Sequence, residues 1–131
     1  MNDQMSENGM ARRIRATRDA PSQARRMIGG LASDLGHRLD DVALVLSELV
    51  TNSVVHGGAA GDIDGDIDFS LSVGNTIRLE VTDTGSGFDE TELPVGKDNG
   101  LGLVLVDRLS RDWGVRRDGN RFTVWVEIPK G

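Results

Sequence analysis

The 131-residue sequence contains no cysteine, only three prolines, few aromatic residues and no long apolar run. The lack of cysteine excludes disulfide bonds and thiolate metal sites, and it agrees with a reducing cytoplasmic location. No apolar stretch approaches the roughly 20 residues that a helix needs to span a bilayer, so we expect no membrane association. The first ten residues are polar and lack the apolar core of a signal peptide. We predict a disordered segment over residues 1–10 and one domain over residues 11–131.

Acidic residues outnumber basic ones, 21 to 15. The formal net charge is −6, which argues against general nucleic-acid binding. Six arginines nevertheless cluster near the N-terminus, and they form either a solvated face or a docking surface for an acidic partner. These arginines are Arg12, Arg13, Arg15, Arg18, Arg25 and Arg26.

The acidic residues include a run of alternate aspartates, Asp62, Asp64, Asp66 and Asp68. The run lacks the glycine and the closing glutamate of a calcium-binding loop. A solvated surface loop is therefore the favoured interpretation, and a metal site is the alternative.

Helical spacing of apolar residues predicts three helices, each bounded by start or stop signals. They run from Pro21 to Gly36, from Asp40 to Gly57 and over Leu101–Leu109. The pair Gly29-Gly30 lies inside the first helix, where glycine is unfavourable. The pair either permits close packing or is merely tolerated.

Alternating apolar residues predict an edge strand near the N-terminus, a hairpin around Gly74-Asn75 and two strands near the C-terminus. The predicted strands are Arg12–Thr17, Ile67–Val73, Ile77–Val81, Trp113–Arg117 and Phe122–Ile128. Helices and strands are segregated and hairpins join the strands, so the fold class is α+β. We expect a two-layer α/β sandwich with a mixed, mostly antiparallel sheet that three helices cover on one face.

Three short stretches of the sequence, called blocks here, contain the candidate functional residues. A helix bearing a carboxylate and an amide, a strand ending in Asp-x-Gly-x-Gly, and a glycine turn leading into a helix together describe a nucleotide pocket. The blocks are Glu48-Leu49-Val50-Thr51-Asn52, Asp83-Thr84-Gly85-Ser86-Gly87-Phe88 and Gly100-Leu101-Gly102-Leu103.

In the first block, Glu48, Asn52 and His56 are spaced four residues apart and form one polar stripe of a helix, beside its apolar stripe. Asn52 offers a hard oxygen, which suits Mg²⁺ held mainly by phosphates and water. Glu48 could orient or deprotonate an attacking hydroxyl or water. The alternative is an ordinary exposed helix face, and we expect His56 to be a structural residue at the helix end.

In the second block, the carboxylate of Asp83 can accept a hydrogen bond from an exocyclic amine such as that of adenine. Gly85 and Gly87 would let the backbone approach a flat base. A plain turn is the alternative, and a calcium loop is disfavoured because no further carboxylates follow at the required spacing.

In the third block, Gly100-Leu101-Gly102 precedes a helix, whose free N–H groups and dipole favour a phosphate. A simple turn into a packing helix is the alternative. The block is not a Walker loop, because no Lys-Ser/Thr pair follows, and no strand leads directly into it as a Rossmann motif requires.

Together the blocks resemble those of the Bergerat-fold ATPases, which include gyrase, the heat-shock chaperone, histidine kinases and mismatch-repair proteins. Thr123, on the last predicted strand, lies where that superfamily places a threonine near the adenine. The other matching positions are Glu48 and Asn52 in the N box, Asp83, Gly85 and Gly87 in the first glycine box, and Gly100, Gly102 and Leu103 in the second.

The short length, the stretch Ser47–Ser53 with His56, and Thr123-Val124-Trp125 resemble the small stand-alone anti-sigma factor serine/threonine kinases of bacteria. Leu101 is a departure, because these kinases often have arginine there. The resemblance implies that ATP and Mg²⁺ bind beneath a short lid at residues 89–99, with Lys97 either near a phosphate or solvated. It implies that Glu48 acts as base on a serine or threonine of an anti-sigma antagonist (STAS) protein. A sigma factor as a second partner and a homodimer are also implied.

Three other functional classes remain to be compared with the kinase. A regulator that binds ATP without phosphorylating a partner fits the same blocks. The catalytic half of a histidine kinase would need a phospho-acceptor helix hairpin, for which the sequence leaves no room. A gyrase-type hydrolase would need a transducer domain with a reaching lysine, which we do not find.

Overall fold

The computed structural model of the chain describes residues 9–55, 65–84, 103–119 and 121–130. Within them are five strands, four α-helices and two 3₁₀ segments at Ile28–Leu31 and Gly36–Arg38. The strands are β1 (Gly9–Arg15), β2 (Asp66–Val73), β3 (Thr76–Thr84), β4 (Asp112–Asp118) and β5 (Arg121–Pro129). The helices are α1 (Ala20–Met27), α2 (Ala32–Leu35), α3 (Leu39–Val55) and α4 (Leu103–Leu109).

The strands form one sheet in the order β1-β2-β3-β5-β4. Every pairing among these described strands is antiparallel, and two of them are hairpins, β2–β3 and β4–β5. The pairing of β3 with β5 is not local, because α4 and β4 lie between them in the sequence. The predicted α+β sandwich is confirmed, with its described strands wholly antiparallel.

The helices cover one face of the sheet, and the core lies between the two layers. Alternate residues of the central strands are buried on that face, as the period of two for a half-buried strand requires. These strand residues pack against the apolar stripe of α3, which consists of Val42, Val45, Leu46, Leu49 and Val50. The buried strand residues are Ile67, Phe69, Leu71 and Val73 of β2, Ile77, Leu79 and Val81 of β3, and Phe122, Val124, Val126 and Ile128 of β5. The opposite face, which we call the open face, bears mostly charged and hydroxyl side chains.

The first predicted helix is wrong as a single element. The α-helix ends at Met27, a 3₁₀ segment includes Gly29 and Gly30, and a second short helix begins at Ala32. Glycine disfavours the α-helix because it has the most backbone freedom to lose. A Cβ built at Gly29 or Gly30 meets nothing within 4 Å, so close packing does not explain the pair.

Two boundaries also differ from the sequence predictions. The strand β1 begins at Gly9, so Gly9 and Met10 pair with Ser72 and Leu71 in the sheet and do not belong to a disordered segment. In the acidic run, Asp66 and Asp68 lie in β2 and not in a loop, since β1 supplies a pairing partner for that strand. In the part of the chain that the structure describes, no helix is long and apolar enough to cross a membrane.

Candidate functional site

The helix α3 presents a polar stripe next to its buried stripe, as predicted from the spacing of Glu48 and Asn52. Acidic residues occupy its first turn, where their negative charge interacts favourably with the helix dipole. No glycine or proline interrupts its 17 residues. The side chain of Asn52 is only 7% exposed, whereas Glu48 is half-buried. Residues four apart on a helix are neighbours on its surface. A carboxylate and an amide therefore lie side by side at the margin of the core.

Asp83 lies near the end of β3 on the face that the helices cover. It continues the buried series Ile77, Leu79 and Val81, and its side chain is only 2% exposed. Its cross-strand neighbours are Ile67 and Phe122, both buried. Burying a carboxylate among apolar side chains is unfavourable, so such a position is typical of a functional group and not of a core residue.

The helix and the strand that bear these groups contact one another. The helix α3 packs on both β3 and α4. Asp83 faces the helical layer, and Asn52 lies at the edge of the buried stripe of α3. The structure thus places these two side chains on facing layers, while α4 begins at Leu103, the last residue of the third block.

Thr123 is separated from Asp83 by the sheet itself. The register pairs Thr123 with Thr82, and their hydroxyl oxygens are 2.7 Å apart. Successive side chains of a strand point to opposite faces, so Thr82 and Thr123 share the open face, whereas Asp83 points to the helices. Thr123 is 5% exposed and adjoins the backbone beside Asp83. Its predicted role near the adenine stays a prediction.

An ion-pair cluster lies on the open face near this end of β3. Arg13 of β1 donates to both carboxylate oxygens of Asp68, with Nε–Oδ1 2.7 Å and Nη2–Oδ2 3.1 Å. Nη2 of Arg121, at the start of β5, donates to Oδ2 of the same carboxylate at 3.1 Å. The hydrogen bond from Arg13 is the largest cause that holds the pKa of Asp68 below its ordinary value.

The sequence reasoning missed Thr82, Arg121 and the role of Asp68. The hairpin register around Gly74-Asn75 places Asp68 opposite Thr82, so that relationship was available from the turn alone. No local pattern signals that β5 pairs with β3 and brings Arg121 and Thr123 alongside.

A second feature adjoins the polar stripe of α3. A groove of about 360 Å³ runs between the start of α1 and the end of α3, lined by Arg18, Pro21, Thr51, Val54 and Val55. Val55, at the end of α3, is 55% exposed. The groove begins one turn beyond Glu48.

The N-terminal arginines divide between two structural settings. Arg13 is paired with Asp68 on the sheet. Arg25 and Arg26 are exposed in the last turn of α1, where positive charge interacts favourably with the helix dipole.

Several predicted site residues lie outside the described residues. These are His56, Asp62, Asp64, Gly85, Gly87, the lid at 89–99 with Lys97, and Gly100, Leu101 and Gly102. Their roles stay predictions. Within the described ranges, no three or more histidine, aspartate or glutamate side chains are grouped so that they could hold a metal ion.

Comparison with known proteins decides the family. The model of the histidine kinase-like ATPase domain matches residues 11–128. The chain belongs to this family. A serine-protein kinase RsbW of Listeria monocytogenes is 33% identical over 108 residues, which cover 70% of this chain and 68% of that protein. The residues that the family model matches run from within β1 to within β5.

Solved structures agree with the family assignment. The RsbU and RsbW domains of Rv1364c from Mycobacterium tuberculosis superpose with a TM-score of 0.66 and 19% identity, covering 92% of this chain and 32% of that chain. The chain thus spans about a third of that solved protein. The catalytic domain of the histidine kinase ThkA gives a TM-score of 0.57 and 14% identity, covering 92% of this chain and 96% of that chain. At these identities, the likeness shows the fold alone.

Proposed function

We propose that this histidine kinase-like ATPase domain binds ATP with Mg²⁺ between α3 and the end of β3, and that it is an anti-sigma factor-type serine/threonine protein kinase. The observation that supports this most directly is the carboxylate of Asp83, which is 2% exposed on an otherwise apolar face of β3. A carboxylate at this position can accept a hydrogen bond from the exocyclic amine of adenine.

The residues that would hold the nucleotide fit it chemically. Asp83 would accept from the adenine amine, and the buried amide of Asn52 would offer its oxygen to Mg²⁺. Because Mg²⁺ keeps most of its ligands as water and phosphate oxygens, one protein oxygen is enough to anchor it. Gly85, Gly87, Gly100, Leu101, Gly102 and Leu103 would complete the site around the base and the phosphates.

Glu48 is the proposed catalytic base. It is half-buried, one helical turn before Asn52, so it can face both the nucleotide and a partner. Its carboxylate would take the proton of a serine or threonine hydroxyl as that oxygen bonds to the γ-phosphorus and ADP leaves.

The proposed partner is an anti-sigma antagonist (STAS) protein, with a sigma factor as a second ligand that the protein sequesters. Such a role places the protein in the cytoplasm, and the resemblance also implies a homodimer. The groove lined by Val54 and Val55 begins one helical turn beyond Glu48, so a partner bound at Glu48 would lie beside it.

The alternative is an ATP-binding regulator that phosphorylates nothing. The similarity to RsbW extends to 33% identity, which leaves room for a member that retains the nucleotide site but has lost transfer. The two functions share every predicted nucleotide contact. They differ only in whether Glu48 acts as the base that accepts the proton of a partner hydroxyl.

Calorimetric titration of ATP and Mg²⁺ into the protein tests the binding site. Asn52→Ala should remove the dependence of ATP affinity on Mg²⁺. Ser47→Ala is the matched control, because Ser47 is equally buried on α3 but its hydroxyl bonds to the carbonyl of Leu44, at 2.9 Å. Equal affinities of Asn52→Ala and wild type would remove Asn52 from the site, and no heat with wild type would refute the nucleotide site.

Labelled ATP tests the catalytic step. Candidate STAS proteins encoded near the gene are incubated with the protein, ATP and Mg²⁺, and label is sought on serine or threonine. Glu48→Gln should abolish transfer while ATP binding persists, since only the proton acceptor is removed. ATP binding by wild type without label on any such partner would favour the binding-only regulator.

A further inference from the structure

The carboxylate of Asp68 joins three strands of the sheet. It lies on β2, receives two hydrogen bonds from Arg13 of β1 and one from Arg121 of β5. The pair with Arg121 is not between adjacent strands, because β3 lies between β2 and β5 in the sheet. The Asp68–Arg121 pair therefore crosses β3 on the open face.

The crossing occurs at the part of β3 that bears Asp83. Asp68 lies opposite Thr82, and Arg121 lies opposite Thr84, so the pair spans the two residues on either side of Asp83. The hydroxyls of Thr82 and Thr123, 2.7 Å apart, join β3 to β5 at the same place. These contacts on the open face thus restrain the end of β3, while the side chain of Asp83 points to the opposite, helix-covered face.

We propose that Asp68 is a positioning residue for the nucleotide site. By bridging β1 and β5 across β3, it fixes the strand end from which the Asp83 carboxylate meets the adenine. The proposal rests on the proposed function, since it assigns Asp68 a part in that same site. The ends of strands open more readily than their centres. A restraint at the end of β3 therefore helps to fix the orientation of the Asp83 side chain.

A second cluster on the open face provides a matched control. Arg78 donates to Glu80 at 2.9 Å and to Glu127 at 2.8 Å, and Arg116 lies 3.4 Å from Glu80. Glu127 pairs with Arg78 in the sheet register, five residues before Asp83 along β3. Glu127→Gln and Asp68→Asn each remove one negative charge from a carboxylate that accepts a hydrogen bond from an arginine of an adjacent strand. Of the two, only Asp68→Asn is expected to loosen the end of β3 that bears Asp83.

The experiment measures ATP and GTP affinity of the full chain with Mg²⁺ by calorimetry. Asp68→Asn should weaken ATP binding roughly three- to tenfold and narrow the preference for ATP over GTP. Glu127→Gln should leave both the affinity and the preference unchanged. The base preference is the decisive readout, since a loss of stability alone lowers the affinity for both nucleotides equally.

A second variant separates folding from positioning. Arg121→Gln removes the bridge across β3 but retains the pair of Arg13 with Asp68, and it should also narrow the base preference. An unchanged preference in both variants, in a protein whose wild type binds ATP, would overturn the positioning role and leave the proposed function intact. An equal change in Glu127→Gln would also overturn it. Absence of ATP binding by wild type would overturn the proposed function and this role together.

Discussion

The indole of Trp125 on β5 lies against Gly114 on β4, the residue directly opposite it in the register. A Cβ added at Gly114 would lie 2.8 Å from Cζ2 of Trp125. The guanidinium carbon of Arg78, on β3, is 4.7 Å from the centroid of the Trp125 ring, within cation–π range. Because Gly114 has no side chain, the Trp125 ring can lie against the backbone of β4 while it contacts Arg78.

Gly114→Ala should therefore destabilise the domain, although alanine is ordinarily better than glycine in a strand. The added methyl must displace the Trp125 ring and weaken its contact with Arg78. We expect a loss of about 1–2 kcal/mol in the free energy of unfolding, as for other overpacked sites. Urea unfolding measures the loss, and near-ultraviolet circular dichroism reports the ring. Equal stability with an unchanged aromatic signal would contradict the contact.

Gly30→Ala should have the opposite effect. A Cβ at this position meets nothing within 4 Å, and the backbone there is not left-handed. Alanine reduces the entropy of the unfolded chain, so we expect a gain of about 0.4–1 kcal/mol in urea unfolding. Gly36→Ala is the control, because Gly36 has φ +56° and should lose stability instead. A loss in Gly30→Ala would show that the pair has a packing role after all.

The stability that Asp68 contributes should depend on pH. The hydrogen bond from Arg13 lowers the pKa of Asp68, so its contribution is present at neutral pH and lost as the pH falls through the folded value, below the ordinary 3.8. Arg13 is largely exposed, so the contribution is below about 1 kcal/mol. Denaturant unfolding of wild type and Asp68→Asn should differ at pH 7 and converge in acid. A difference that grows in acid would contradict this pKa direction.

Asp83→Asn should change which purine the protein prefers. A neutral amide accepts from the adenine amine more weakly than a carboxylate, and it can donate to the carbonyl of guanine. We expect ATP affinity to fall about tenfold, with a smaller change for GTP. Competitive binding of the two nucleotides measures this. Val81→Ala, a core change two residues earlier on the same face, controls for loss of fold. Equal ATP and GTP binding in wild type would refute the role of Asp83.

Much of the fold was predictable because local physics determines it. Strict alternation around Gly74-Asn75 predicted the β2–β3 hairpin, and the turn sets the register that places Asp68 opposite Thr82. The 3.6-residue period predicted α3 and the polar stripe that includes Glu48 and Asn52. The break after Met27 was not predicted, because the cost of two glycines competes with an apolar period that continues through them.

The candidate site was predictable as residue types but not as an arrangement. The position of Asp83 at a strand end follows from the sequence, yet its place opposite Phe122 depends on the pairing of β3 with β5. The Asp68–Arg121 pair joins residues 53 apart in the sequence, and the Thr82–Thr123 contact joins residues 41 apart.

The order of amino acids thus determined the elements, the buried faces and the chemical groups available, because each depends on neighbours within a few residues. That β5 lies beside β3, that Arg121 reaches Asp68 and that Thr123 shares a face with Thr82 were decided only by the packed sheet. Those contacts exist because burying two apolar layers together brings distant segments into a single register, and no local preference encodes that register.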